Sequence, residues 1–239
     1  MEHPILFINV LLEKLGVHVP TGGQMHGITD YLVQPHVTYT WFVMGLLLAL
    51  SALAVRSMKM VPDGGQNFFE VVISGLEDFM VGIMGEEGRF MFPLIATLGL
   101  FILLSNYLGM IPGFFSPTAS INTTAACALI VVVITHVLGV KFHGIKYVKH
   151  FMGPVWWLTP LIMPIEIIGH IARVLSLSIR LFGNIFGEEL VLGILFFLAG
   201  MYLAPLPMMF LGLLTGLIQA FIFCVLSAMY FAGAIEHAH

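Results

Sequence analysis

Apolar residues form long uninterrupted stretches in this chain, and short groups of charged, proline or glycine residues separate them. A helix needs about 20 predominantly apolar residues to cross a bilayer. Five stretches approach or exceed that length, and they predict membrane-crossing helices over residues 39–56, 90–111, 120–140, 160–201 and 205–235. The expected fold class is an all-α polytopic membrane protein, with residues 1–38 as an external N-terminal segment and residues 39–239 as a single membrane domain.

The stretch 66–87 has a different pattern, in which apolar and acidic residues lie on opposite faces of a helix. Its apolar face consists of Phe69, Val72, Leu76, Phe79, Met80 and Ile83, and its polar face of Glu70, Ser74, Glu77 and Asp78. This pattern predicts an amphipathic helix at the membrane interface. Because the polar face is acidic, attraction to anionic lipid does not explain it. Packing against a partner subunit or against the bundle itself is an equal alternative.

The fourth stretch is much longer than one crossing requires. A helix rises about 1.5 Å per residue, so residues 160–201 far exceed the ~30 Å of hydrocarbon in a bilayer. Such a helix must tilt strongly, lie partly in the membrane plane or break, and we favour strong tilt.

The composition agrees with a membrane protein and excludes two other classes. Of the 239 residues, 59% are hydrophobic and 9% are charged, and the mean hydropathy of +1.01 is too high for a water-soluble domain of this size. No Asp, Glu, Lys or Arg occurs in residues 90–140 or 190–235. A soluble enzyme is therefore excluded. Nine Lys and Arg with a net charge of −4 provide no basic surface for nucleic acid.

Basic residues beside the spans indicate the orientation of the chain. They follow the first and third spans, at Arg56, Lys59, Lys141, Lys146 and Lys149. The loops on the opposite side, 112–119 and 202–207, contain no basic residue. The basic side is predicted to be cytoplasmic, which places the N-terminus outside and the C-terminal Glu236, His237 and His239 inside.

Neither the cysteines nor the histidines suggest a metal or cofactor. Cys127 and Cys224 lie in apolar stretches without metal-type spacing, and we interpret them as small core-filling residues. The ten histidines form no HExxH motif, and the chain has no glycine-rich phosphate loop. We expect no metal, no cofactor and no nucleotide site in this chain.

Charged side chains interrupt the fourth span. A charge at membrane depth costs at least about 2.5 kcal/mol on insertion scales and marks a functional site by default. At about 100° per residue, an arc of about 80° contains Glu166, His170, Arg173, Leu177, Arg180, Asn184 and Glu188. One face of this span is therefore an ionisable stripe.

A second stripe, next to Arg180, consists of the small residues Gly169, Ser176, Gly183 and Gly187. Small residues in register let another helix approach closely. Arginine keeps its proton at physiological pH, whereas lysine can lose it when desolvated. Arg180 can therefore act as a permanent positive charge that draws a proton off a passing carboxylic acid without accepting that proton.

Several segments together resemble one known family. They are SLSIRLFGN at residues 176–184, followed by Glu189-Leu190, then QAFIF at 219–223 and, more loosely, SNYLGMIP at 105–112 and PTASIN at 117–122. These segments resemble subunit a of the rotary ATP synthase, the stator of its membrane sector. The resemblance implies two long tilted helices at the end of the chain, curved against a ring of hairpin subunits that each bear a carboxylate.

The resemblance also implies roles for individual residues. Arg180 corresponds to the stator arginine that separates two aqueous half-channels and interacts with the ring carboxylate. Asn184, Glu189 and Gln219 correspond to polar positions of the half-channel that opens to the outside. On the cytoplasmic side the corresponding positions are Glu166 and Arg173, and we add His170 from the same face as a candidate for the proton path.

The implied partners are the ring of c subunits and the peripheral-stalk b subunits, in the inner membrane of a bacterium. The implied activity is the coupling of proton flow to rotation of the ring and hence to ATP synthesis elsewhere in the complex. The chain itself would be non-catalytic. H+ is the default translocated ion, and Na+ is not excluded.

Two positions depart from the family pattern. Many relatives carry glycine where this chain has Glu188, and some carry histidine where it has Gly212. Gly212 precedes Gln219 by two helical turns on the same face. Our hypothesis is that Glu188 performs from the fourth span the proton-relay role that the histidine performs from the last span in those relatives.

Simpler roles are open to most of these residues. Arg180 could form a buried ion pair, although this seldom improves on apolar packing. Glu189 could extend towards the interface, but its position on the helical wheel suggests that it faces the last span. Glu166 and Arg173 could be solvated, and His170 could be an ordinary interfacial histidine. Asn106 and Asn122 could line the channel or act as interhelical hydrogen-bond donors and acceptors.

Two further functions remain as alternatives. A self-contained secondary transporter would use Arg180 to bind an anionic substrate, and it predicts an internal repeat and helix breaks at the membrane midplane. Neither is visible in the sequence. A passive assembly scaffold would tolerate a neutral replacement of Arg180.

Overall fold

A computed structural model describes residues 34–56, 64–111, 113–144, 159–199 and 205–235, together with Lys14. These residues form six α-helices and two short 3₁₀ turns, without any strand. The helices are α1 (Pro35–Arg56), α2 (Gly64–Met84), α3 (Phe92–Gly109), α4 (Ile121–His143), α5 (Thr159–Ala199) and α6 (Pro205–Ile235). The 3₁₀ turns are Glu86–Met91 before α3 and Pro117–Ala119 before α4.

Local sequence explains where several helices begin and end. Pro35 and Pro205 are the first residues of α1 and α6, a position where the missing N–H is no loss. Gly85 and Gly144, with φ of 74° and 56°, follow α2 and α4. Their amides donate hydrogen bonds to carbonyls four residues earlier, so each glycine ends its helix in a backbone conformation that other residues rarely adopt.

Five of the helical segments are long and apolar enough to cross a membrane: Pro35–Leu53, Glu86–Gly109, Ile121–His143, Leu161–Leu198 and Pro205–Ile235. They correspond to the five predicted spans, and the predicted all-α polytopic class is confirmed. The first helix begins at Pro35 rather than at residue 39, and the second span consists of a 3₁₀ turn that runs into α3.

Helix α5 is continuous for 41 residues, from Thr159 to Ala199, with Pro164 inside its first turns. At about 1.5 Å per residue its length is about 60 Å. The break considered as one alternative for this span does not occur. Pro164 is the sixth residue of α5, so it removes one hydrogen bond from the first turns without ending the helix.

Helix α2 covers most of the predicted amphipathic stretch but ends at Met84, three residues earlier than predicted. Only part of its predicted apolar face is buried, since Met80 is fully buried whereas Val72 and Phe79 are about half exposed. Glu77 forms an ion pair of 2.8 Å with Arg89, in the 3₁₀ turn that follows. The interfacial position of α2 stays a prediction.

The contacts divide the chain into two compact units that alternate along the sequence. The first unit comprises Met1–Arg56, Gly99–Thr124 and Arg180–Phe221, and the second comprises Ser57–Leu98, Ala125–Ile179 and Ile222–His239. The division of the chain into an external segment and one membrane domain stays a prediction.

The first unit has an aromatic centre around Tyr39 of α1, whose side chain is fully buried. The rings of Phe114 and Phe115 lie 6.0 and 6.3 Å from the Tyr39 ring, both edge-on, an arrangement that suits the ring quadrupoles. The Tyr39 hydroxyl donates to the carbonyl of Gly113 at 3.3 Å. One turn later Val43 is also fully buried, so this face of α1 is held against the segment that precedes α4.

The second unit packs parts of α3, α4 and α6 around an apolar core. Its most deeply buried side chains include Ile95, Val131, Leu138 and Phe231. Cys127 and Cys224 are buried and free, which confirms their interpretation as small core residues. The Cys224 thiol lies 3.7 Å from the carbonyl oxygen of Ile95.

Several residues used to predict orientation lie outside the described residues, namely Lys59, Lys146, Lys149, Glu236, His237 and His239, and so does most of residues 1–38. Lys141 is described, and its ammonium group lies over the ring of Phe90, 4.8 Å from the centroid.

The aromatic centre gives a first prediction. Tyr39→Ala should lower the stability of the detergent-solubilised protein by about 3 to 5 kcal/mol, because it leaves a cavity among buried rings. Trp41→Ala is the matched control, since Trp41 lies two residues away on α1 and is 62% exposed. The apparent midpoint of thermal unfolding measures the difference. Equal midpoints for the two variants would contradict this account of the core.

Candidate functional site

The predicted site residues fall into two groups, one in each unit. Arg180, Asn184, Glu188, Glu189 and Gln219 belong to the first unit. Glu166, His170 and Arg173 belong to the second.

In the first unit, α5 and α6 present polar side chains to each other. The side-chain amide of Asn184 donates to the side-chain oxygen of Gln219 at 3.1 Å. Gln219 is 4% exposed, whereas Asn184 is exposed. A buried amide needs hydrogen-bond partners, so this pair fixes the direction of the Gln219 side chain.

Glu188 faces α6 at Gly212. A Cβ atom placed on Gly212 would coincide with the carboxylate of Glu188, so the glutamate occupies the space that a side chain at position 212 would need. Thr215 donates to Oε2 of Glu188 at 3.3 Å. The Glu188 carboxylate can therefore occupy this position only because residue 212 is a glycine.

Glu189 has a different set of neighbours from the one we expected. The backbone amide of Ser116 donates to Oε1 of Glu189 at 3.2 Å. The same oxygen lies 2.8 Å from the position that a Cβ on Gly109 would take. The expectation that Glu189 faces the last span is wrong, since these neighbours lie at the end of α3 and before α4. Glu188 is the carboxylate that contacts α6.

A buried network of neutral polar groups lies behind the Glu189 contact. The Ser116 hydroxyl is 2.9 Å from the carbonyl of Ser105 and 2.7 Å from the Thr118 hydroxyl. Thr118 donates to the side-chain oxygen of Asn106 at 2.7 Å, and the Asn106 amide donates to the carbonyl of Gly216 at 3.3 Å. Asn106, which we expected either to line the channel or to join helices, joins α3 to α6.

A small cavity adjoins both carboxylates. The side chains and backbone that line it are Asn106, Gly109, Met110, Ile185, Glu188, Glu189 and Leu192. Two carboxylates and an amide supply several hydrogen-bonding groups, which is the condition for a cavity to hold water rather than remain empty. Protonatable groups and space for water therefore occur together in this part of the first unit.

Arg180 lies near the middle of α5, and its side chain is exposed. Within the described residues, no Asp or Glu forms an ion pair with its guanidinium. The buried ion pair that offered a simpler role is therefore not found there. Nearby, a Cβ on Gly183 or Gly187 would meet no other group within 4 Å. The guanidinium and the small-residue face beside it are left open.

In the second unit, Glu166 and His170 are neighbours one turn apart on α5. The distance between Nε2 of His170 and Oε1 of Glu166 is 3.5 Å. Arg173 is exposed and lies over the ring of Tyr230, with its guanidinium carbon 5.3 Å from the centroid. Arginine over the face of a tyrosine ring is a favourable cation–π arrangement. Arg173 therefore contacts a residue of α6 while it remains exposed.

Comparison with known proteins identifies the family of this chain. The family model described as ATP synthase A chain matches residues 37–232. The ATP synthase subunit a of Syntrophobacter fumaroxidans is 79% identical over 239 residues, and those of Desulfosudis oleivorans and Geobacter sulfurreducens are 56% and 52% identical over 239 and 242 residues. Each comparison covers 100% of this chain and 100% of the relative. The chain belongs to the ATP synthase subunit a family.

Membership of this family confirms the resemblance seen in the 176–184 and 219–223 segments. A subunit of the ATP synthase membrane sector works within a complex with other subunits, as a multi-pass membrane protein.

Sequence reasoning did not identify Ser116 and Thr118. Both are small hydroxyl residues in an uncharged loop, and hydropathy assigns such residues to turns. A local signal was present, because Ser116 and Thr118 flank Pro117 in and beside the PTASIN segment, and serine or threonine beside proline often bonds to nearby groups in turns. The partner residues in α3 and α5, however, are distant in sequence.

The network predicts the effect of a nearly isosteric change. Thr118→Val removes the hydroxyl but keeps the volume, so the side-chain oxygen of Asn106 loses its donor within a buried site. Leaving such a group unsatisfied costs about 1 to 3 kcal/mol. The thermal midpoint of the solubilised complex should fall accordingly.

Thr97→Val is the matched control for this change. Thr97 is exposed on α3, and among the described residues its hydroxyl donates within its own helix, to the carbonyl of Pro93. If both threonine variants lowered the midpoint equally, the network would have no special role in stability.

Proposed function

We propose that this chain is the proton-conducting stator subunit of an ATP synthase, with Arg180 as the fixed charge between two half-channels. The observation that carries the proposal is the environment of Arg180: an exposed guanidinium in the middle of a long apolar helix, beside open glycines and without an acidic partner among the described residues. A permanent charge is costly at membrane depth. A carboxylate carried past it by another subunit would compensate that cost.

The role of Arg180 follows from the chemistry of guanidinium. Arginine does not give up its proton at physiological pH, so it cannot pass a proton from one half-channel to the other. It can, however, favour the ionised form of a nearby carboxylic acid, which then releases its proton. Arg180 would therefore both discharge the ring carboxylate and block a direct proton leak.

The proposed outer path uses the polar groups of the first unit. Protons would pass Glu188 and Glu189 near the small polar cavity and continue towards Asn184 and Gln219, where the ring carboxylate becomes protonated. The contact between Glu188 and Gly212 supports the hypothesis that Glu188 performs from α5 the relay role that a histidine performs from α6 in some relatives. A proton relay requires groups that can both bind and release a proton near neutral pH.

The proposed inner path uses Glu166, His170 and Arg173 of the second unit. After nearly a full turn of the ring, protons would leave past these residues to the cytoplasm. Each proton that crosses the membrane down the electrical potential releases about 2.3 kcal/mol of free energy per 100 mV. Several protons must therefore cross for each ATP made elsewhere in the complex.

The proposed partners are a ring of c subunits and the peripheral-stalk b subunits. Open glycines on α5 suit a closely passing helix, and strong tilt would keep a 41-residue helix within the bilayer. The proposed location is a bacterial inner membrane, with the N-terminus outside and the C-terminus in the cytoplasm. The rival transporter mechanism requires a helix break at the midplane, and α5 is continuous on both sides of Arg180.

The decisive test is Arg180→Ala in the assembled complex. Removing the fixed charge should abolish ATP-driven proton pumping in inverted membrane vesicles, because the ring carboxylate would no longer be discharged. Dye quenching measures pumping, and ATP hydrolysis is measured in the same vesicles. Coupled pumping at the wild-type rate would refute the stator proposal and favour a scaffold.

Arg89→Ala is the matched arginine control. Arg89 is exposed and pairs with Glu77 and Glu86 outside the proposed path. This variant should keep coupled pumping close to the wild-type rate. If pumping is retained in Arg89→Ala but lost in Arg180→Ala, the loss is due to the position of the charge rather than to the removal of an arginine.

A second prediction concerns Glu188. Glu188→Gln keeps the size of the side chain and can keep a hydrogen bond to Thr215, but it cannot carry a proton. Passive proton conduction through reconstituted vesicles should fall by about 10²-fold or more, the usual scale for loss of an acid–base group. Glu86→Gln, an exposed glutamate paired with Arg89, is the control. Unchanged conduction in Glu188→Gln would exclude Glu188 from the relay.

A further inference from the structure

A second histidine completes the inner group of ionisable residues. The ring of His136, on α4, lies against the ring of His170, on α5, with centroids 4.5 Å apart and planes inclined by 56°. His170 is in turn 3.5 Å from the carboxylate of Glu166. Three protonatable side chains from two helices of the second unit are therefore consecutive neighbours.

The hydrogen bond of His136 fixes the tautomer of its neutral ring. Its Nδ1 lies 2.7 Å from the carbonyl oxygen of Val132, one turn earlier on α4. A carbonyl oxygen only accepts, so Nδ1 carries a hydrogen in this contact. In the neutral ring Nε2 is then an acceptor and can take up a second proton. The backbone thus orients the His136 ring and makes Nε2 its acceptor nitrogen.

The two rings are so close that like charges on them would repel each other. The side chain of His170 is 14% exposed, and the charged or titratable groups that act on it within the described residues include His136, Arg173 and Glu166. Two protonated rings in contact would repel each other, and the Arg173 guanidinium adds to that repulsion. A single proton is compensated by Glu166. Titratable groups this close act as one unit rather than as separate sites.

We propose that His136 and His170 share one proton and exchange it with Glu166, forming a proton-collecting relay at the cytoplasmic end of the inner path. The proposal rests on the stator function above. In each step one N–H or O–H bond breaks as another forms. The Glu166 carboxylate takes a proton from a hydronium ion of the cytoplasmic solution and leaves water; His170 then accepts the proton at Nε2, which restores the carboxylate. The histidine pair gives the proton up in turn, through water in the path, to the ionised carboxylate of a c subunit. In ATP synthesis the same steps run in reverse.

A metal site and a purely structural role fit these contacts less well than a relay does. Within the described residues, no group of three or more His, Cys, Asp or Glu is arranged to hold a metal ion. A structural histidine is exemplified by His143, two turns after His136 on α4, whose Nε2 lies 3.1 Å from the carbonyl of Ala234 and joins α4 to α6. His136 and His170, by contrast, face each other and a carboxylate.

The test measures how ATP-driven pumping depends on pH at the cytoplasmic face, which is the outer solution in inverted vesicles. Imidazole binds protons at higher pH than a carboxylate does, so the relay extends proton uptake to higher pH. His136→Gln and His170→Gln should therefore pump about as fast as wild type near pH 6 but about three- to tenfold more slowly near pH 8. His143→Gln is the matched control and should follow the wild-type profile.

A double variant tests whether the two rings act as one unit. If they share a proton, His136→Gln combined with His170→Gln should pump no more slowly at high pH than either single variant, whereas independent effects would multiply. The proposal is overturned if both single variants keep the wild-type pH profile, if they lower pumping equally at every pH, or if their losses multiply.

Assembly and the stator function are checked in the same vesicles. The amount of this chain in the membrane is measured by immunoblot, and His136→Phe, which keeps a ring, is the second choice where the glutamine variant fails to assemble. If neither His136 variant assembles, the pH profile of His170→Gln alone decides, because the relay requires both rings. If Arg180→Ala stops pumping while the histidine variants keep the wild-type pH profile, the relay alone is overturned. If Arg180→Ala still pumps, the stator function is overturned.

Discussion

The cost of an ionised side chain in hydrocarbon governs how α5 is built. Every charged residue of this helix either has a polar neighbour or remains exposed: Glu166 has His170, Glu188 has Thr215, Glu189 has the Ser116 amide, and Arg173 and Arg180 are exposed. Packing is left to Leu177, Leu181 and Ile185, one turn apart and nearly fully buried. Because Leu177 lies within the ionisable stripe and Leu181 and Ile185 adjoin it, the same side of the helix both packs within its own chain and carries charge.

Each of the two contact units holds one of the two ionisable groups. The first unit contains two carboxylates, a buried amide network and a small polar cavity, whereas the second contains a glutamate, two histidines and an arginine on a tyrosine ring. Carboxylates and imidazoles bind protons over different ranges of pH. The proposed entry and exit paths therefore differ in chemistry as well as in position.

The sequence predicted the helices well because hydropathy and charge distribution reflect the cost of burial directly. Spacing predicted the ionisable stripe on α5, and the family resemblance added Glu189 and Gln219 to the candidate site. Neither indicated the neighbours of Glu189 or the contact between His136 and His170. A helical wheel gives the direction of a side chain about its own axis and contains no information on which neighbour stands there. Residues such as Ser116, 73 positions from Glu189, become partners only through the packing of the helices.

The network of Ser116 and Thr118 has fewer hydrogens than short contacts. Three short contacts join the Ser105 carbonyl, Ser116, Thr118 and the Asn106 side-chain oxygen, but the two hydroxyls supply only two hydrogens and both end groups only accept. At any instant, one of the three contacts therefore has no hydrogen between its two oxygens. Rotation of the hydroxyl groups changes which contact this is. The two hydroxyls therefore have more than one hydrogen-bonding arrangement open to them without any movement of the helices.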